Sequence, residues 1–146
     1  MFRESPRANR YGRRTLLGAA IAGLATCALM LADYWSYRAH GPSPTGIANV
    51  LTGLALWIAI GATAGLVSGR FRDAPVSWLA AVVGVLLAHQ IFYVALDPTA
   101  PYPGEDGFEG DIVPTTVVLF LLIAGGHLLG VVANRTLGGR KLNAEG

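Results

Sequence analysis

The chain has 146 residues, of which 53% are hydrophobic and 14% charged, and its formal net charge is +2. Soluble domains carry about 25% charged residues, so the composition excludes an ordinary water-soluble enzyme and a disordered tail. A single cysteine excludes a disulfide scaffold and a cysteine-rich zinc module. The mean hydropathy of +0.48 instead indicates a small membrane protein.

Four stretches without Asp, Glu, Lys or Arg approach or reach the length of about 20 residues that a helix needs to cross a bilayer. They cover residues 15–32, 47–68, 76–96 and 112–133. A charge at the bilayer centre costs about 3 kcal/mol or more, and soluble helices need a polar face. The pattern therefore predicts an all-α membrane protein with a four-helix transmembrane bundle.

The segments outside these windows are polar. They are a basic tail over residues 1–14, a polar segment over 33–46, a short loop over 69–75, an acidic loop over 97–111 and a tail over 135–146. The loop over 97–111 contains five acidic residues and no basic one: Asp97, Glu105, Asp106, Glu109 and Asp111. Because it lacks the alternating ligand spacing of a calcium-binding loop, we interpret it as a solvated loop, with a weak divalent-cation contact as the alternative.

The basic residues predict the orientation. Ten of the eleven lie in the two tails and the short loop, and only Arg38 lies on the other side. With three acidic residues among the ten, one side carries +7; with six acidic residues beside Arg38, the other carries −5. The positive-inside rule then places both termini in the cytoplasm, as expected for a multi-pass protein of the plasma membrane. The basic tails are expected to meet anionic lipid headgroups rather than nucleic acid.

The N-terminus also permits a different interpretation. Residues 13–17, Arg-Arg-Thr-Leu-Leu, resemble a twin-arginine export signal, and residues 24–27, Leu-Ala-Thr-Cys, loosely resemble a lipoprotein cleavage box. Cleavage there would remove the first helix and leave Cys27 for lipidation. Threonine before the cysteine is unusual for such a box, and the apolar run continues to Ala32. We therefore expect an uncleaved spanning helix.

Small residues at four-residue spacing predict close helix packing, because lipid provides no hydrophobic drive for helices to associate. The second helix contains Gly61, Gly65 and Gly69, preceded by Gly53, and the fourth contains Gly126 and Gly130. These glycines could pack the bundle internally or form the face of a homo-oligomer.

The same regions suggest an internal repeat. Residues 58–70 align with residues 123–135, and six of the thirteen positions are identical. Two helical hairpins of the same orientation would explain the match, as a parallel repeat does in some transporters. Independent convergence on glycine-rich packing would explain it equally well.

Few polar residues lie inside the windows. His89 and Gln90 are in the third helix, His127 is in the fourth, and Asn49 is near the start of the second. Intramembrane histidines are candidates for functional sites. Counted along the helices, His89 and His127 differ in depth by roughly 12 Å, which disfavours one haem or one metal ion shared between them. We therefore expect no cofactor.

The simplest interpretation is that these side chains hydrogen-bond neighbouring helices, at about 0.6 kcal/mol per bond. The chain would then act by association, as an accessory or scaffold subunit or a homo-oligomeric component of a membrane complex. The alternative is a small channel or transporter, with a polar path lined by His89, Gln90 and His127 and an acidic outer mouth. No catalytic motif is recognisable, so an enzyme is not expected.

Overall fold

The computed structural model describes the backbone of residues 6–40, 47–96 and 108–144, and side chains over most of residues 12–92 and over 117–137. Within these ranges the chain is helical apart from Gly69 and Arg70, and it contains no strand. The four long helices are α1 (Pro6–His40), α2 (Ile47–Ser68), α3 (Ala74–Gln90) and α4 (Phe108–Ala144). A 3₁₀ turn, Phe71–Asp73, precedes α3, and a π-helical segment, Ile91–Leu96, continues it.

The predicted all-α fold is confirmed, with four helices long and apolar enough to cross a membrane. These stretches are Gly12–His40, Leu51–Ser68, Phe71–Gln90 and Val117–Leu137. Large apolar side chains on all four helices are exposed, among them Leu24, Leu51, Leu86 and Leu129. A helix that is apolar on its outer surface suits a lipid environment.

Two helices are longer than their charge-free windows. α1 covers residues on both sides of 15–32 and therefore includes Asp33. α4 begins at Phe108 rather than 112, so Glu109 and Asp111 belong to a helix and not to a loop. The windows measure the apolar span, whereas a helix can continue into polar surroundings, and acidic residues are favourable near a helix N-terminus. Asp97, Glu105 and Asp106 lie outside the described residues.

The helices pack as two parallel pairs. α2 has its most extensive contact with α4, and α1 has its most extensive contact with α3. α1 also contacts α2, and α3 contacts α4, whereas α2 and α3 barely meet. The order around the bundle is therefore α1–α2–α4–α3, and helices that follow one another in the sequence are not the closest partners.

Glycines allow the backbones of α2 and α4 to approach closely, and their contacts are reciprocal. A Cβ added to Gly61 would overlap the carbonyl oxygen of Ile123, and one added to Gly126 would overlap that of Ile58. One turn further along, Gly65 faces the carbonyl of His127 in the same way. Gly130 correspondingly faces the carbonyl of Ala62. No side chain fits at these four positions without moving the helices apart.

The contact between α1 and α2 is uneven along its length. A Cβ on Gly18 would lie 2.9 Å from the carbonyl oxygen of Ala64. A Cβ on Gly53, close to the other end of α2, would meet nothing within 4 Å. We call the end of the bundle at residues 69–73 the short-loop end and the other the opposite end. α1 and α2 are close at the short-loop end and diverge towards the opposite end.

Candidate functional site

The short connection between α2 and α3 starts with a glycine in a left-handed conformation. Gly69 has φ +70, a conformation that side chains disfavour and that commonly ends helices. Its N–H donates to the carbonyl of Gly65 at 2.8 Å. The chain then turns directly into the 3₁₀ segment and α3, which has a proline in its first turn. This tight turn points the carbonyl of Arg70 towards α4.

His127 lies on α4 opposite this turn and is completely buried. Its Nδ1 is 2.9 Å from the hydroxyl oxygen of Ser77 on α3. Its Nε2 is 2.9 Å from the carbonyl oxygen of Arg70 and 3.2 Å from the hydroxyl oxygen of Ser68 on α2. We call these four residues the His127 cluster. One side chain thus joins α4 to the end of α2, to the turn and to the start of α3.

The partners assign the tautomer of the neutral ring. A carbonyl only accepts hydrogen bonds, so Nε2 carries the hydrogen that is donated to Arg70. Nδ1 then accepts a hydrogen bond from the hydroxyl of Ser77. Ser68 accepts a further bond from the N–H of Arg70 at 3.3 Å. Both ring nitrogens are therefore satisfied by groups of the same chain.

A hydroxyl, an imidazole and an orienting acceptor in sequence have the form of an activated nucleophile. In this cluster Ser77 is only 2% exposed and His127 is 0% exposed. A substrate carbonyl has no approach to the hydroxyl of Ser77. The arrangement is therefore suited to holding helices together, and not to attack on a substrate.

Further polar contacts surround the cluster at the short-loop end. The hydroxyl of Thr15 on α1 donates to the carboxylate of Asp73 at 2.8 Å, and Asp73 is buried. The side-chain amide of Asn134 donates to the carbonyl of Leu66 at 2.9 Å, in the last turn of α2, where carbonyls lack helical partners. Each of these contacts joins segments that are distant in the sequence.

The guanidinium of Arg135 adds one more contact here, because it lies 4.4 Å from the ring centroid of Phe71. A cation over an aromatic face is attractive. All four helices are thus connected, directly or through the turn, at the short-loop end.

The other predicted polar residues lie elsewhere. His89 is half-buried and meets Tyr34 of α1 edge-on, with ring centroids 6.4 Å apart. Gln90 is exposed. Asn49 lies in the first turn of α2, and its side chain is outside the described part of the structure.

The structure does not bring His89 and His127 together. His89 lies twelve positions after Ser77, the α3 residue that contacts His127. At 1.5 Å per residue this is about 18 Å along the helix. One metal ion needs ligand nitrogens at about 2.0 Å from it, so the two histidines cannot share an ion. Within the described residues no group of three potential metal ligands occurs.

Two of the glycines predicted to pack helices together do not lie in the contact between α2 and α4. Gly69 ends α2, as described above, and Gly53 faces open space. Gly61, Gly65, Gly126 and Gly130 lie in the contact between α2 and α4.

Ser68, Ser77, Asp73 and Thr15 were not identified as site residues from the sequence. Their positions in the sequence are the one indication: Ser68 is the last residue of the second window, and Ser77 lies at the start of the third, across the short loop. Serine is common at helix ends, so this signal is weak without knowledge of which helix packs against which.

A cleft of about 380 Å³ lies between α1 and α2, away from the His127 cluster. Its residues on α1 include Met30 and Asp33, and those on α2 include Thr52 and Trp57. Asp33 was expected in a polar segment outside the bundle, and it instead lies on α1 beside the diverging part of α2.

Comparison of the chain with protein-family models, with curated proteins and with solved structures found no match.

Proposed function

We propose that the protein is a multi-pass component of the plasma membrane that acts by association, either as a homo-oligomer or as an accessory or scaffold subunit of a larger complex. The observation that carries this proposal is the His127 cluster. The most deeply buried ionisable side chain among the described residues is bonded on both ring nitrogens to its own bundle. Its role is then to hold a rigid helical body together, and the exposed apolar surface is available to lipid and to partners.

In the bilayer we place the short-loop end and both termini in the cytoplasm. Arg13, Arg14, Arg72 and Arg135 are exposed or half-buried near that end, together with Arg70 in the turn. Four spans return the chain to the side where it starts, which agrees with basic residues in both tails. α1 is retained in this proposal, because Gly84 of α3 lies against the backbone of both Gly23 and Cys27, on the two sides of the point at which a signal would be cut.

We also propose that α1–α2 and α3–α4 are two parallel repeats around a pseudo-twofold axis along the membrane normal. The support comes from the reciprocal glycine contacts. Gly61 and Gly126 occupy equivalent positions in the sequence alignment, as do Ile58 and Ile123, and each glycine faces the isoleucine of the other helix. These contacts are those that a twofold-related pair of helices would make, and they accompany identity at six of thirteen aligned positions.

The test of the associative function is purification in a mild nonionic detergent followed by native mass spectrometry. We expect a mass that is a multiple of 15.3 kDa, or a stable complex with a heavier membrane protein. A bare monomer under conditions that preserve known membrane complexes would contradict the proposal.

A channel or transporter is the competing function. It requires a polar path, and His127 does not favour one, because it is completely buried and both of its ring nitrogens are bonded within the bundle. Reconstitution into liposomes separates the two proposals. Ion flux that is lost in His89→Ala while the variant remains folded would support the competing function, and absence of flux together with a stable complex would support association.

A further inference from the structure

We propose that the cleft between α1 and α2 binds an organic cation with an apolar body, held by the carboxylate of Asp33 and the indole of Trp57. This inference goes beyond the associative function and is independent of it. The volume of about 380 Å³ is within the range of pockets that hold small organic molecules.

The shape of the cleft follows from the packing of the helices. α1 is held against α2 at the short-loop end, where Gly18 meets Ala64. Further along, α1 packs on α3 through Gly23 and Gly84, and α2 packs on α4. The two helices therefore separate as each follows its own parallel partner. The cleft is open at Gly53, since an added Cβ there would meet no atom within 4 Å.

The chemistry of the lining selects the charge of the ligand. Leu29, Met30 and Leu56 provide apolar walls. Asp33 is the one ionisable residue among the described residues of the lining, and its side chain is exposed on α1. A carboxylate beside apolar walls attracts a cation and repels an anion, so the lining favours a positively charged ligand.

Trp57 strengthens the preference for an organic cation over a metal ion. A tryptophan ring attracts quaternary ammonium groups and similar soft cations. The methionine thioether is polarizable and adapts to irregular apolar ligands. A hydrated metal ion would instead require several oxygen ligands, and among the described lining residues only Asp33 and Thr52 offer side-chain oxygens.

The test is calorimetric titration of the purified full chain with tetraphenylphosphonium in a nonionic detergent. We expect saturable binding that is weakened at least tenfold in Asp33→Asn and retained in Asp33→Glu. Triphenylphosphine oxide, a neutral probe of similar shape, should show no such difference between the protein and Asp33→Asn. Equal affinity of Asp33→Asn and the unaltered protein for tetraphenylphosphonium, or no binding to the unaltered protein, would overturn the proposal.

A pair of glycine variants localises the binding. Gly53→Leu places a side chain in the cleft and should abolish binding. Gly125→Leu also places a side chain in open space, but on α4 and away from the cleft, so it should leave binding unchanged. Melting temperatures of both variants report whether the bundle is intact. Unchanged binding in a folded Gly53→Leu variant would place the cation elsewhere and refute the site.

The cation could come from solution or from the amine headgroup of a lipid, since both offer the same chemistry. Titration in the presence of phosphatidylethanolamine distinguishes the sources. Competition by this lipid supports the site and assigns it to a lipid amine; undiminished binding supports a soluble cation. The native mass of the protein tests association and does not depend on these titrations. The associative function and the cation site can therefore be refuted independently of each other.

Discussion

At the scale of single residues, His127 and His89 show how similar positions in a sequence lead to different roles. Both are histidines in apolar windows, and depth alone does not distinguish their environments. His127 faces a turn whose carbonyl and two nearby serines satisfy its ring. His89 is half-buried and contacts an aromatic ring. The difference arises from tertiary contacts that sequence periodicity does not contain.

We expect His127→Ala to lower the free energy of unfolding by about 2 kcal/mol, because it leaves the hydroxyl of Ser77 buried without its partner. The measurement is the unfolding transition in a nonionic detergent titrated with a denaturing one. His89→Ala is the matched control and should cost less than half as much. Equal losses in the two variants would contradict a special role for the His127 cluster.

The contact between Thr15 and Asp73 is a second test at this scale. A hydroxyl that donates to a buried carboxylate forms a charge-assisted hydrogen bond. A double-mutant cycle of Thr15→Val and Asp73→Asn should give a coupling free energy of about 1 kcal/mol. Additive effects of the two substitutions would show that the bond does not stabilise the attachment of α1 to the turn.

At the scale of helices, the glycines divide into classes that the sequence motif does not separate. Gly65 lies against the backbone of α4, Gly69 ends α2, and Gly53 lines the cleft between α1 and α2. The four-residue spacing predicted a small-residue face but could not say which members contact a neighbour. That depends on how far two helices run together before they diverge.

We expect Gly65→Ala to reduce stability by about 2–3 kcal/mol, since its methyl group would overlap the backbone of His127 and overpacking costs about this much. Gly125→Ala is the control, because it faces open space and alanine is the better helix former. Its melting temperature should be unchanged or raised. Unchanged stability of Gly65→Ala would mean that the close contact between α2 and α4 does not stabilise the bundle.

The proposed repeat makes a further quantitative prediction. Gly61→Ala and Gly126→Ala introduce the same overlap on opposite sides of the pseudo-twofold axis. They should therefore destabilise the bundle equally, within about 0.5 kcal/mol, as measured by the same unfolding titration. A large difference between the two would contradict the pseudo-twofold equivalence of these positions.

At the scale of the whole molecule, composition and charge-free windows were sufficient to predict four helical spans. They could not predict the lengths of α1 and α4, because helices extend beyond the apolar region. Nor could they predict that α1 pairs with α3 and α2 with α4, since antiparallel neighbours in sequence are the usual expectation. The His127 cluster and the Asp33 cleft both follow from that pairing, which explains why neither was foreseen.

The proposed orientation is tested by labelling single cysteines in a Cys27→Ser background. Gly12→Cys lies at the start of the α1 span, where an added side chain meets nothing, and Ser36→Cys is exposed near the end of α1. A membrane-impermeant maleimide should label only Ser36→Cys in intact cells and only Gly12→Cys in sealed inverted vesicles. The reverse pattern would overturn the cytoplasmic placement of the termini.

The parallel pairing also constrains the order of biosynthesis. Ser68 and His127 are 59 residues apart, and a ribosome adds about 5–20 residues per second. α2 is therefore synthesised on the order of 3–12 s before its partner α4. During this time the glycine face of α2 is uncovered in the membrane and is available to insertion factors or to another nascent chain. The contact between α2 and α4 forms only after α4 has been synthesised, so α4 completes the bundle last.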